Sequence, residues 1–164
     1  MTPSVIIALL SFLVSAASFF FSFYEWLIRP KVQIQWIYTV NFGEKSQYNV
    51  CLMITNMSSR AANITDLRLR TVYSDSKSSY YPVRLTSNMN EDKISYSDCI
   101  PLNIPARNAK TFIIAFPNLS EDDMELPETT LTLKMNRRTI TKTFKNVKQL
   151  KQNNFIAALE HRQK

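Results

Sequence analysis

An uncharged apolar stretch near the start of the chain constrains its fold more than any other feature. The 21 residues from Ser4 to Tyr24 carry no formal charge. As a helix that rises about 1.5 Å per residue, they would be about 30 Å long, which is the thickness of a bilayer's hydrocarbon core. Trp26 follows where the membrane–water interface would lie, and Arg29-Pro30-Lys31 ends the helix. The stretch therefore predicts one membrane-spanning helix within residues 1–29.

The main alternative is a cleavable signal peptide, because Val14-Ser15-Ala16 is typical of a cleavage site. No Lys or Arg precedes the apolar stretch, and Phe19-Phe20-Phe21 continues it past that site, which favours an uncleaved anchor. Arg29 and Lys31 outweigh Glu25 at the other flank. Since Lys and Arg favour the cytoplasm, we expect the large C-terminal part to lie on the cytoplasmic side of the cell membrane.

Small side chains recur along one side of this helix at spacings of three and four residues. Such a seam lets two helix backbones approach, and serine hydroxyls can hydrogen-bond across it. The pattern favours a homo-oligomer; packing against another membrane protein, or a chance alignment of small residues, are the alternatives. The predicted helix–helix interface consists of Ser4, Ala8, Ser11, Ser15, Ser18 and Ser22, with Glu25 placed to approach Arg29 of a neighbouring helix.

After Pro30 the hydrophobic period changes to two, which is typical of strands. Seven or eight short strands with little helix between them predict an all-β fold, an antiparallel β-sandwich over residues 30–146. We expect the segment 80–85 to be an edge strand, because Pro82 cannot donate to a central ladder. The other predicted strands are 32–40, 48–54, 64–73, 110–116 and a hairpin of 129–135 with 138–144, with residues 100–105 extended.

Three segments resemble bacterial immunoglobulin-like domains. Val50 to Asn56, a Ser-rich turn and then Asn63 to Leu69 are similar to the B–C region of such domains. Ile104 to Phe112 is similar to the proline and small residues that lead into one of their later strands. The chain as a whole resembles small, N-terminally anchored Ig-like proteins of AT-rich bacteria and their mobile elements. The resemblance covers about residues 31–146, implies an Ig-like β-sandwich and carries no catalytic residues.

Positive charge is concentrated at the C-terminal end of the sequence. Residues 134–164 hold nine Lys and Arg against Glu160 alone, whereas residues 1–133 hold 11 Lys and Arg against 12 Asp and Glu. A basic patch there could bind anionic lipid headgroups or the phosphates of a nucleic acid, or could simply be solvated. Phe144 and Phe155 are isolated and provide no stacking platform along this run, which disfavours nucleic acid. The predicted patch consists of Lys134, Arg137, Arg138, Lys142, Lys145, Lys148 and Lys151.

The tail over residues 147–164 is predicted to be a short helix or an extended tail. Asn146 is a candidate N-cap, with Val147, Leu150, Ala157 and Ala158 near one side.

Enzyme chemistry finds little support in the sequence. Gly43 is the sole glycine, which excludes the glycine-rich loops that bind phosphate. Cys51, Cys99 and His161 do not have the spacing of a zinc site, and a histidine in the tail is a poor catalytic base. We therefore expect no enzymatic activity, no cofactor and no metal. The cysteines should be unpaired thiols, with a bridge between strands as the alternative for an exported domain.

Tyrosines cluster around the polar loops, at Tyr73, Tyr80, Tyr81 and Tyr96. Such tyrosines can form a recognition surface, but we expect half-buried sheet residues. Taken together, the sequence predicts a non-catalytic interaction or sensing module on a membrane anchor. One alternative is a membrane effector, such as an immunity or host-exclusion factor, whose helices assemble and perturb the membrane. Another is a membrane-tethered nucleic-acid binder that uses the basic C-terminus.

Overall fold

A computed structural model of the chain describes residues 3–27, 30–42, 45–72, 74–85, 95–119, 128–136 and 138–162. The protein is mostly β, with antiparallel sheets, one apolar N-terminal helix and a short C-terminal helix. The elements are α1 (Pro3–Leu27), β1 (Lys31–Phe42), β2 (Lys45–Asn56), β3 (Ala62–Arg70), β4 (Asp75–Lys77), β5 (Leu102–Ile104), β6 (Asn108–Leu119), β7 (Glu128–Met135), β8 (Arg138–Lys145) and α2 (Gln152–Arg162).

The first helix agrees with the sequence prediction. Pro3 is its first residue, a position where a missing N–H costs nothing because that group would have no partner in the helix. The part from Pro3 to Tyr24 is long and apolar enough to cross a membrane, and its most apolar window has no residue buried against the rest of the structure. The apolar surface of α1 therefore contributes nothing to the core formed by the strands.

The strands form two antiparallel sheets. The first has the order β1-β2-β6, and the second has the order β4-β3-β7-β8, with β5 also paired to β3. The predicted hairpin is confirmed: β7 pairs with β8 from Glu128 opposite Lys145 to Met135 opposite Arg138. Its turn contains Asn136 at a φ of 46°, in the left-handed region that asparagine tolerates better than most residues.

One hydrophobic cluster lies between the two sheets. Successive side chains of a strand point to opposite faces, and the apolar residues lie on the inner face. Along most of β3, buried residues therefore alternate with exposed ones. Each large aliphatic side chain that is fully buried contributes about 1.5–3 kcal/mol relative to full exposure. The fully buried members of the cluster include Ile37, Leu52, Ile54, Ile64, Leu67, Leu69, Leu131 and Leu133.

The predicted edge strand at 80–85 is wrong. Only an isolated bridge between Arg84 and Tyr96 forms there, and the short strand β4 lies instead on the edge of β3. Two side chains explain the difference. Gln47 Nε2 donates to the Arg84 carbonyl at 3.0 Å, and Asn49 Nδ2 donates to the Leu85 carbonyl at 2.8 Å. Side-chain amides of β2 thus bind this backbone, which also pairs briefly with residues 95–97, through Leu85 N–H to the Ser95 carbonyl at 3.0 Å and Ser97 N–H to the Val83 carbonyl at 2.8 Å.

The C-terminal segment also differs from its prediction. Asn146 has a φ of 52° directly after β8 and does not cap a helix, which begins only at Gln152. The residues between them run beside β1. The N–H of Ile37 donates to the carbonyl of Lys148, and the N–H of Leu150 donates to the carbonyl of Ile37, each at 2.9 Å. These two bonds give the edge strand β1 a parallel partner at Ile37.

One end of both sheets lies next to the C-terminus of α1. β1 begins at Lys31, only four positions after α1 ends, so the start of β1 lies at this end. Because neighbouring strands are antiparallel, the end of β2 and the start of β6 lie there as well. We call this the α1 end and the opposite one the far end. The strand boundaries at the α1 end are Lys31 of β1, Asn56 of β2, Ala62 of β3, Ile104 of β5, Asn108 of β6, Met135 of β7 and Arg138 of β8.

Candidate functional site

The predicted seam of small residues lies within α1. At about 100° per residue, its six members occupy about 80° of the helix circumference. The Ser18 hydroxyl donates to the carbonyl of Val14 at 2.9 Å, so its hydrogen is already bonded within the helix. Glu25 belongs to α1, but its side chain lies outside the described residues, as does the whole of Arg29. The seam residues Ser4, Ala8, Ser11, Ser15, Ser18 and Ser22 are all exposed.

The predicted basic patch does not form one surface. Residues that pair across neighbouring strands share a face of the sheet. Lys134 pairs with Asp66 on the outer face, whereas Lys142 pairs with the buried Leu131 on the other face. Lys145 pairs with Glu128, which offsets its charge. Arg138, Lys148 and Lys151 are exposed, and Arg137 lies outside the described residues.

Lys142 has a structural contact that the sequence did not indicate. Its Nζ donates to the carbonyl oxygen of Val32 in β1 at 2.9 Å and lies 5.1 Å from the centre of the Phe144 ring. A cation over an aromatic ring contributes about 0.5–1 kcal/mol at an exposed site. Because β8 and β1 are edge strands of different sheets, Lys142 joins the two sheets where their edges meet.

The C-terminal helix packs on the outer face of the three-stranded sheet. Phe155 and Leu159 of α2 are buried in a second cluster, which also contains Cys51, Leu85 and Ile113. Their spacing of four residues places both side chains on one face of α2. This buried pair was not predicted from the sequence, although Phe155 and Leu159 have the i, i+4 spacing that could have revealed it.

Aromatic side chains of β1 provide the other half of this contact. The ring of Phe155 stacks on Tyr38 with centroids 4.0 Å apart and planes at 15°, and meets Trp36 edge-on at 5.5 Å. Burial raises the pKa of the Tyr38 phenol above its usual value. The face of β1 that carries Trp36 and Tyr38 is thus covered by the chain's own C-terminus.

Asn56 organises the loops at the α1 end. Its side chain is fully buried, and its Nδ2 lies within hydrogen-bond distance of three carbonyl oxygens, those of Arg60, Ile104 and Pro105, at 2.8–3.2 Å. Its Oδ1 accepts hydrogen bonds from the N–H of Ser58 at 3.1 Å and from the Ser58 hydroxyl at 2.8 Å. One asparagine therefore fixes the β2–β3 loop against the segment that follows β5.

The tyrosines of the polar loops are exposed, and the expectation of half-buried positions is wrong for those that the structure describes. Tyr80, Tyr81 and Tyr96 are 52%, 79% and 56% exposed. Tyr73 lies outside the described residues. The contact surface that these side chains present is consistent with the recognition role considered from the sequence.

Groups that could hold a metal or perform catalysis are sparse in the part of the chain that the structure describes. No group of three or more His, Cys, Asp and Glu side chains comes together there. Cys51 and Cys99 are not joined by a disulfide, and the Cys51 thiol donates to Gln35 Oε1 at 3.3 Å. His161 belongs to α2, with its side chain outside the described residues. The predictions of no enzymatic activity and no cofactor remain predictions.

No protein-family model matches the chain, and none of the curated proteins matches it.

Proposed function

We propose that the chain is a non-catalytic interaction module on a single-pass membrane anchor. In this proposal α1 crosses the cell membrane, residues 30–146 form an Ig-like β-sandwich on the cytoplasmic side, and residues 147–164 complete that module. The observation that carries the proposal is the separation of two apolar surfaces. The strands form a closed core with each other, while the most apolar window of α1 is not buried by any of it.

The exposed surface of α1 explains why a membrane is the environment that it fits. Phe12, Phe19 and Phe20 are each at least 67% exposed. Burying one such side chain gains about 1.5–3 kcal/mol, so a helix of this composition in water forgoes tens of kcal/mol. In a bilayer the same surface meets hydrocarbon, and the helix satisfies its own backbone hydrogen bonds.

The course of the chain supports the Ig-like part of the proposal. The resemblance at Val50 to Asn56 falls on β2, and the one at Asn63 to Leu69 falls on β3, where the chain passes from the first sheet to the second. The segment Ile104 to Phe112 includes the passage back, from β5 to β6. Antiparallel strands that alternate between two sheets around one core are typical of such sandwiches.

The anchor is tested by fractionation of the full chain after expression. We expect it in the membrane pellet after alkaline carbonate extraction, with an intact mass that includes residues 1–29. Leu10→Arg combined with Leu13→Arg should release the chain, because each charge at the centre of a membrane helix costs about 2.5–3.5 kcal/mol. Leu10→Phe with Leu13→Phe is the control and should stay in the pellet. A chain that has lost its first 16 residues would instead indicate a signal peptide.

Self-association through the seam has its own test. Ser15→Leu with Ser18→Leu adds bulk where two helices would approach, and we expect it to reduce crosslinked dimers of the full chain in membranes. Ala16→Leu with Ala17→Leu adds similar bulk more than a quarter turn away and should leave the dimers intact. Equal crosslinking in the two double variants would contradict self-association through this face, without touching the anchor itself.

A further inference from the structure

The α1 end carries exposed cations from loops and strands that are far apart in the sequence. Lys31 begins β1, Arg60 lies in the β2–β3 loop, Arg107 lies in the turn before β6, and Lys110 lies near the start of β6. All four side chains are exposed, and they form no ion pair among the described residues. Arg138, at the start of β8, is a fifth exposed cation at this end.

No carboxylate lies among the described side chains of this end, and the side chain of Glu25 in the last turn of α1 is outside them. The carboxylate that lies nearest along β3 is Asp66, four residues into the strand, and its Oδ2 is 3.5 Å from Lys77 Nζ. The far end is different. Asp75 and Glu128 lie there, paired across neighbouring strands with Arg70 and Lys145. Among the described side chains, the far end therefore carries charges of both signs, whereas the α1 end carries cations alone.

Hydrogen bonds to the backbone fix the two loops that carry Arg60 and Arg107. Asn56 binds the carbonyl of Arg60, and the N–H of Arg107 donates to the carbonyl of Ser58 at 3.0 Å. These bonds fix the two loops against each other. Arg107 has a φ of 51°, a left-handed conformation that is uncommon for arginine and that places this residue at the tip of its turn. The loops thus present Arg60 and Arg107 from a preorganised surface.

This surface adjoins the end of the helix. Tyr24 and Pro30 line one groove together with Arg60, Asn136 and Arg138. If α1 crosses the membrane, the α1 end lies within a few residues of its surface. Anionic headgroups attract cations there, and the attraction decays over a Debye length of about 8–10 Å at physiological salt.

From these observations we propose that the α1 end docks on anionic lipid headgroups through Lys31, Arg60, Arg107 and Lys110. The proposal rests on the membrane anchor proposed above and differs from the linear basic patch at Lys134 to Lys151. Anionic lipid is the partner that fits, because the helix brings this end to the membrane surface and none of the side chains described there is a carboxylate. Docking would fix the angle at which the module stands on its anchor.

The test uses the full chain in lipid nanodiscs, with a donor fluorophore on Ser59→Cys in a Cys51→Ala, Cys99→Ala background. Ser59 is exposed and lies between Ser58 and Arg60, both of which hydrogen-bond to the Asn56 side chain. Acceptor fluorophores are carried in trace amounts by either an anionic or a zwitterionic lipid with the same acyl chains. We expect energy transfer to the anionic acceptor to exceed transfer to the zwitterionic one about twofold or more at low salt. Transfer should become equal in 0.5 M NaCl, where screening is stronger.

Two double variants complete the test. Arg60→Gln with Arg107→Asn should bring the ratio of energy transfer, anionic acceptor over zwitterionic acceptor, close to one. Asparagine is chosen at position 107 because it tolerates the left-handed conformation. Lys77→Gln with Lys145→Gln removes two cations away from the α1 end and should leave the ratio unchanged. A ratio of one for the parent chain at low salt, or equal ratios for the two double variants, would overturn the proposal. Failure of the carbonate extraction would reject the anchor instead, so the two failures are distinguishable.

Discussion

The outer faces of the two sheets differ in what covers them. On the three-stranded sheet, Trp36 and Tyr38 are packed under Phe155 of α2. On the other sheet, the corresponding positions of β7 and β8 carry threonines that pair across the strands, with Thr130 and Thr143 hydroxyls 3.1 Å apart. A face of aromatic residues requires a cover, whereas hydroxyls remain solvated at little cost. The side chains of each outer face thus determine whether the C-terminus binds there.

The open face carries two exposed ion pairs. Arg68 lies 3.5 Å from Asp75, and Lys77 lies 3.5 Å from Asp66. Such exposed pairs contribute about 0–1 kcal/mol each, so they keep the surface soluble more than they stabilise the fold. The contrast predicts that substitutions on the covered face have much larger effects on stability than those on the open face.

The largest effect is expected from Phe155→Ala. Phe155 is fully buried between α2 and the aromatic residues of β1, and truncating a buried phenylalanine costs about 3–5 kcal/mol. The free energy of unfolding, measured with urea on the full chain in detergent, should fall by that amount. Ile156→Ala is the control in the same helix, because this side chain is only partly buried, and its loss should be smaller. Equal losses would mean that the cover adds little to the fold.

A smaller effect is expected from Asn49→Ala, which removes a buried amide from the covered face. Its Nδ2 donates to the Leu85 carbonyl at 2.8 Å, and its Oδ1 accepts from Gln47 Nε2 at 2.8 Å. Leaving buried partners unpaired costs about 1–3 kcal/mol. The matched change on the open face is Thr132→Ala, whose hydroxyl lies 3.4 Å from that of Thr141, and it should cost less than about 1 kcal/mol in the same unfolding measurement. A larger loss of stability for Thr132→Ala than for Asn49→Ala would contradict the predicted difference between the two faces.

Local structure could be predicted from the sequence where hydrophobic alternation or a turn signal was enough to identify a strand. The period of two in β1 and β2 and the turn at Asn136 identified strands that the structure contains. The pairing of Lys142 with Leu131 was also within reach, because a hairpin centred on that turn fixes which residues share a face. Reading the basic residues along the chain, without this alternation, joined cations that the fold separates.

Contacts between distant segments could not be predicted in this way. Phe155 lies 117 positions after Tyr38, and the sequence around either residue does not indicate that the two rings stack. Arg60 and Arg107 meet at the α1 end only because the fold brings two loops together, through a bond from the Arg107 N–H to Ser58. Such neighbours depend on the order of strands in both sheets, which hydrophobic periodicity does not specify.

The smallest of these effects should appear at high pH and should again distinguish the covered face. Burial raises the pKa of Tyr38 above that of an unfolded tyrosine, near 10. The neutral phenol is therefore favoured in the folded state, and its contribution to stability is fully present below pH of about 10 and is lost as the pH rises through the folded pKa. Tyr38→Phe keeps the ring on Phe155 but cannot ionise. The difference in unfolding free energy between parent and variant should be constant up to about pH 9 and should then shift in favour of the variant; a constant difference to pH 11 would mean that α2 does not desolvate the Tyr38 hydroxyl.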